Sequence, residues 1–354
     1  MSVKNIINTF NQWKESKQTI VLATVYETLG STYSKAGQRI IINNEGDYQG
    51  LVSGGCLEGD IVERANSVIL ENNSKIISYD MRDEADDIFG LGAGCNGLIR
   101  IILQPLLSAN NYEPLTSINR ALYEDRSLGQ GLPTIVTIID SSKKEALSGD
   151  TVIADKDLNI IYSSISNKSL VNNLLKDQHL SQNNEVLFKK DLEGISALYS
   201  LIAPIPKILI LGAGLDSMPI IKMSSILGWR TTIVDHRPAY FEKNNFEDAD
   251  ESILIAKPEE LRRRCDLNSF DAVVVMSHHL ASDKAYLEQL KDKEFPYLGL
   301  LGPIARKNRL INSIDKGEYY FKDKLKGPVG IPIGADSPET IALSLLAEIY
   351  TKIN

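Results

Sequence analysis

The sequence predicts an α/β protein in two parts: an N-terminal α+β domain over residues 1–205 and a C-terminal doubly wound parallel-sheet domain over residues 206–354. Three observations carry this. From Lys207 onward, apolar runs of strand length alternate with helix-length segments, the pattern of right-handed β-α-β crossovers. The run Lys207 to Leu211 is apolar after its first residue, the mark of a parallel strand buried on both faces. Before residue 206 the strand-like runs are separated by glycine-rich corners and an Asn44-Glu45-Gly46-Asp47 turn, the punctuation of antiparallel hairpins. The length agrees, since 354 residues at about 150 per domain make two or three domains.

The elements follow in order. Ile6, Ile7, Phe10 and Trp13 fall on one helical face, which predicts a short amphipathic helix packed on its own domain. Polar residues interrupt it too often for a signal peptide or a membrane span, and a membrane-surface helix would carry more basic residues. Thr19 to Tyr26 reads as a strand, and Gln38 to Asn43 with Tyr48 to Val52 as a hairpin. Ile61, Val62, Ala65, Val68 and Ile69 mark a helix, and Lys75 to Tyr79 a strand. Residues 80–87 are acidic without an apolar period, and Gly90, Gly92, Gly94 and Gly97 make the next segment nearly all turn. Leu98 to Leu103 is a further strand. Residues 110–205 form a β-rich segment, with strands at 134–139, 151–154, 159–162, 186–189 and 197–203. They either continue the first domain or make a small β-rich linker domain. Beyond Lys207, helices are expected at 219–227, 281–290 and 337–350, and strands at 231–234, 271–276 and 297–301. Ser337 is the expected N-cap of the last helix, with Pro338 at its first position.

Composition narrows the function classes. Hydrophobic residues make up 43% and charged residues 24%, a globular mixture. A net charge of -8 with no long basic run points away from nucleic acid and from an anionic membrane surface. The three cysteines, Cys56, Cys95 and Cys265, are too few for a disulfide framework and suit a reducing, cytoplasmic setting. With four histidines and no CxxC or HExxH pattern, a structural zinc site is not indicated.

After the Lys207 strand comes Gly212-Ala213-Gly214-Leu215-Asp216-Ser217. Gly212 permits a tight turn, and Gly214 lets backbone amides approach a pyrophosphate at a helix N-terminus. Ser217 stands where the dinucleotide fingerprint has its third glycine. Asp235 ends the second strand roughly 20 residues on, where an acid meets a ribose hydroxyl. These features make the C-terminal part Rossmann-type, and Gly212, Gly214 and Asp235 its candidate NAD(P) or nucleotide contacts. His278 follows the third strand at the carboxyl edge, where ligands collect. One reading is an NAD(P)-dependent oxidoreductase with His278 as acid or base. The other is a Rossmann fold that binds nothing.

A second constellation lies near the N-terminus. Cys56 sits in Ser53-Gly54-Gly55-Cys56-Leu57-Glu58-Gly59, where a helix begins and its dipole favours a thiolate. Cys95 sits in Gly90-Leu91-Gly92-Ala93-Gly94-Cys95-Asn96-Gly97. Two cysteines in glycine-rich loops suggest a soft-metal or cofactor site. They also read as two small buried residues at tight turns.

Taken in order, these motifs resemble the XdhC/CoxI family, the accessory proteins that mature xanthine dehydrogenase and related molybdenum hydroxylases. Gly30-Ser31-Thr32, Gly37-Gln38-Arg39 and the Cys56 and Cys95 loops carry the N-terminal resemblance. Val234-Asp235-His236-Arg237, Val275-Met276-Ser277-His278, Gly327-Pro328-Val329-Gly330 and Ile333-Gly334-Ala335-Asp336-Ser337-Pro338-Glu339 carry the C-terminal one. The resemblance implies binding of the molybdenum cofactor, cooperation with a cysteine desulfurase, and delivery to an apo molybdenum hydroxylase of the xanthine dehydrogenase type. It implies that Cys56 is the thiol contacting molybdenum, with Gly54, Gly55, Glu58 and Cys95 beside it. A homodimer is expected, because the cofactor must be shielded and Rossmann domains often associate.

Overall fold

A computed structural model describes residues 2–82, 97–123, 132–176, 186–190 and 193–353. The chain divides into two compact units, one ending at Ala203 and one beginning at Pro204.

The first unit holds two five-stranded sheets. In chain order the strands are β1 (Ile20–Gly30), β2 (Arg39–Asn43), β3 (Tyr48–Gly50), β4 (Lys75–Asp80), β5 (Gly97–Leu106), β6 (Thr134–Ser141), β7 (Thr151–Ala154), β8 (Ile160–Ser163), β9 (Leu187–Lys189) and β10 (Ile195–Leu201). The helices are α1 (Val3–Glu15), α2 (Glu58–Glu71), α3 (Leu115–Tyr123) and α4 (Lys168–Lys176). The sheet orders are β3-β2-β1-β5-β4 and β8-β7-β6-β10-β9, antiparallel throughout. The β-rich segment therefore continues the first unit as a second sheet.

Alternation places the side chains. Val21, Ala23 and Val25 of β1 and Ile40 and Ile42 of β2 face α2, which buries Ile61, Ala65 and Val68 against them. Each fully buried Val or Ile side chain among them contributes about 1.5–3 kcal/mol. α1 buries Ile6, Ile7, Phe10 and Trp13 within its own unit, as the spacing of its apolar residues predicts. It is tied to the turn before α3 by the edge-on contact of Phe10 with Tyr112, and to α3 itself by Lys14 Nζ donating to Thr116 Oγ1 at 3.0 Å. The two sheets meet through Tyr26, Ile102, Ile139 and Leu198. A bulge between Val25 and Glu27 of β1 interrupts the register at Tyr26.

The second unit is built on one six-stranded parallel sheet. Its strands are β11 (Lys207–Leu211), β12 (Arg230–Asp235), β13 (Glu251–Leu254), β14 (Ala272–Val275), β15 (Tyr297–Leu300) and β16 (Leu325–Lys326). They lie in the order β13-β12-β11-β14-β15-β16, the order of a dinucleotide-binding sheet. The helices are α5 (Ser217–Leu227), α6 (Pro238–Lys243), α7 (Leu261–Arg264), α8 (Leu280–Leu290), α9 (Ile304–Ser313), α10 (Gly317–Phe321) and α11 (Pro338–Ile353). Leu209, Leu211, Val273 and Val275 pack under α8 and α9. Ile208, Ile210, Ala272 and Val274 pack under α5 and α11, together with Trp229. Every position of β11 and β14 after Lys207 is thus covered, which is why those runs are continuously apolar. Ser337 accepts the Thr340 amide at 3.3 Å, as an N-cap does.

Candidate functional site

The Cys56 loop leads from β3 into α2. Gly54 and Gly55 have φ of +77° and +107°, a left-handed path that admits glycine readily. Glu58, at the first position of α2, is 1% exposed and turns its carboxylate back into the loop. It accepts the Val52 and Ser53 amides at 2.9 Å each, the Gly55 amide at 3.0 Å, and the Ser53 hydroxyl. Burial opposes ionisation, but these donors prevail and hold the carboxyl below the ordinary range. Ser53 Oγ in turn accepts the Leu57 amide at 2.7 Å. Glu58 is therefore the internal brace of the loop, and its oxygens point inward. Cys56 projects from the braced turn as an exposed thiol, one residue before the helix N-cap Leu57. Open space lies around Gly55 and Gly59, where an added Cβ would meet nothing within 4 Å. The Tyr33 ring covers Gly54, where a Cβ would stand 3.4 Å from Tyr33 Cδ2. Cys95 and its glycines up to residue 94 lie outside the described residues.

The second cluster belongs to the Rossmann turn. Gly212 has φ +129°, and a Cβ there would lie 2.6 Å from the Met276 carbonyl oxygen, so β11 and β14 approach as closely as only glycine allows. Ser217 is fully buried and donates its hydroxyl to the Gly214 carbonyl at 2.7 Å, closing the turn where the fingerprint has a glycine. Asp235 is 0% exposed. It accepts the Ala213 and His236 amides at 2.7 Å and the Arg237 amide at 3.0 Å. It also takes both arms of the Arg237 guanidinium, at 2.9 and 2.7 Å. Burial acts to raise its pKa, but these donors, led by Arg237, together outweigh it and hold the carboxyl below the ordinary range. Asp235 thus spends its oxygens on the fold. His278 occupies a left-handed conformation with φ +59°, and its Nε2 lies 2.6 Å from Asp216 Oδ2. That hydrogen bond raises the His278 pKa. Asp216 therefore sets a carboxylate beside Gly214, where a pyrophosphate reading needs positive potential. Gly54, Gly55, Cys56 and Glu58 are brought together in the first unit, and Gly212, Gly214, Asp235 and His278 in the second. Among the described residues no cluster of three or more His, Cys, Asp or Glu is placed to hold a metal ion.

The sequence model of the XdhC Rossmann domain matches residues 208–349, and that of the XdhC and CoxI family matches residues 13–80. A Bacillus subtilis protein named as a probable xanthine dehydrogenase subunit is 30% identical over 342 residues, spanning 95% of this chain and 93% of its own length. The chain belongs to the XdhC and CoxI family. A further relative is the molybdenum cofactor insertion chaperone PaoD of Escherichia coli, 21% identical over 331 residues that span 93% of this chain and 82% of its own. A crystal structure described as a xanthine dehydrogenase from Bacillus halodurans superposes with a TM-score of 0.77 at 28% identity, covering 100% of this chain and 96% of that one.

Within this XdhC and CoxI chain, the geometry singles out residues whose roles motif reading did not assign. Asp216 and Arg237 engage His278 and Asp235 respectively. Asp283, fully buried, takes the Ser277 hydroxyl at 2.5 Å and the Arg306 guanidinium at 2.5 and 3.2 Å, fastening the end of β14 to α8 and α9. Each is a relation between separate segments, and the only sequence signal was that Asp216, Arg237 and Ser277 stood inside the motif runs. Among the described residues, no helix is long and apolar enough to cross a membrane.

Proposed function

We propose that the protein is an accessory factor that receives the molybdenum cofactor, cooperates with a cysteine desulfurase in its sulfuration, and hands it to an apo molybdenum hydroxylase of the xanthine dehydrogenase type, in the cytoplasm. One observation carries the reading: the exposed Cys56 thiol on a Gly54-Gly55 turn braced from inside by Glu58. A thiolate is a soft donor suited to molybdenum and its sulfur ligands, and the open space at Gly55 leaves room for a bulky cargo. The cofactor brings the redox centre, and this chain supplies the thiol and the rigid turn that presents it. Family membership and the likeness to the insertion chaperone PaoD support the same role. The proposal includes a homodimer, which light scattering tests against the chain mass of 39.2 kDa.

The test is to produce the protein in a host that makes the cofactor and assay bound molybdenum and pterin, with Cys56→Ala beside it. Stoichiometric cofactor that disappears in the variant is the expected result. Equal cofactor in both proteins overturns the thiol role. No cofactor in either, with measurable NAD(P) binding, moves the assignment to the oxidoreductase reading.

A further inference from the structure

A pocket of about 260 Å³ opens in the first unit, and Tyr33, whose ring covers Gly54, is one of its walls. Ile6 and Ile7 of α1 and Ile118 and Leu122 of α3 form apolar walls, and Arg39 completes it. Arg39 opens β2, and the segment before it is clamped to β1 by Gly37 N–H donating to the Val25 carbonyl at 2.7 Å and Val25 N–H to the Gln38 carbonyl at 2.9 Å. The hydrogen bond of its side chain is a long one, from Nη2 to Ser200 Oγ at 3.4 Å. Among the described residues no carboxylate forms an ion pair with it. Burial lowers its pKa to about 10, which still leaves it cationic at neutral pH. None of its nitrogens is both buried and without a partner among the described residues, so its remaining N–H donors stay open to what enters the pocket. That is what a bidentate seat for phosphate or carboxylate requires.

We propose that this pocket binds a phosphate monoester carried on a flat heterocycle, with the phosphate on Arg39 and the ring between α1 and α3. Resting on the cofactor reading above, the ligand is the phosphorylated pterin of the same cargo. The Tyr33 ring is common to the pocket and to the Cys56 turn, so one molecule is held at two ends: its phosphate by a guanidinium, its metal-sulfur end by a thiol.

The experiment measures binding of neopterin monophosphate, neopterin and adenosine monophosphate to the full chain by equilibrium dialysis and calorimetry. Wild type should prefer neopterin monophosphate over neopterin by roughly tenfold or more, as expected for a charge-assisted pair. Arg39→Met should abolish that preference. Ile118→Trp, which fills the pocket and leaves Arg39 in place, should abolish binding altogether and keeps the test decisive if Arg39→Met does not fold. A preference retained in Arg39→Met, or equal affinity of wild type for the two pterins, overturns the site. Adenosine monophosphate binding as tightly as neopterin monophosphate overturns the pterin assignment. The two readings fail separately. Cofactor loading lost in Cys56→Ala but kept in Arg39→Met sinks the pocket alone, and Arg39-dependent pterin phosphate binding in a protein that never loads cofactor sinks the accessory role alone.

Discussion

Glu58 holds Ser53 twice, accepting both its amide and its hydroxyl, and so the first residue of α2 dictates the shape of the turn that precedes it. Glu58→Gln should cost about 1–3 kcal/mol, because an amide NH₂ replaces an acceptor facing buried donors. It should also reduce cofactor loading with Cys56 still in place. Because the folded carboxyl titrates below its ordinary 4.5, its contribution is present above that value and fades as pH falls through the folded value. Urea unfolding at several pH values checks this: wild type should lose stability below pH 4.5 more steeply than the variant.

The free thiols at Cys56 and Cys265 should differ in reactivity. Cys56 is exposed, whereas Cys265 is 8% exposed and burial pushes its thiol up to about 11. Brief iodoacetamide treatment of the native protein, followed by peptide mass mapping, should modify Cys56 and leave Cys265 intact. Cys56→Ala itself should shift stability by no more than about 0.5 kcal/mol, as exposed substitutions do.

Asp235→Ala should destabilise the second unit by about 3–5 kcal/mol, because it strands the Arg237 guanidinium and three backbone amides. Thermal unfolding measures it. A variant as stable as wild type would show that Asp235 is not the brace described above.

His278 should titrate above the ordinary 6.5 by NMR of its ring protons, because Asp216 favours the imidazolium. The stabilisation from this pair is complete below pH 6.5 and is lost as pH rises through the folded pKa. Asp216→Asn should return His278 toward its ordinary value.

Reading the sequence alone finds the parallel sheet readily, because strands covered on both faces write themselves as apolar runs, as at Ile208–Leu211 and Ala272–Val275. It also finds the long β1 and the amphipathic α1 and α2. It does not find the edge strands β13 and β16, nor α3, α4, α6, α7, α9 or α10. These are short, and α9 buries only Leu310 and Ile311, too few to set a period. The strands of the β-rich segment are legible singly, but their union in one sheet depends on pairings between distant residues, such as Ile135 with Ser200. At the site, the Gly54-Gly55-Cys56 turn is visible from residue type. Glu58 facing inward, Asp235 bound to Arg237, and Arg39 without an acid partner among the described residues are not, because each is settled by what another segment places beside it.

The two tryptophans of the chain fall one to each unit, Trp13 buried in α1 and Trp229 buried ahead of β12. The protein therefore carries its own pair of optical reporters. Trp13→Phe leaves emission from the second unit alone, and Trp229→Phe leaves emission from the first. Denaturation midpoints from the two single-tryptophan proteins would coincide if the chain unfolds as one cooperative body, and would separate if each half melts on its own terms.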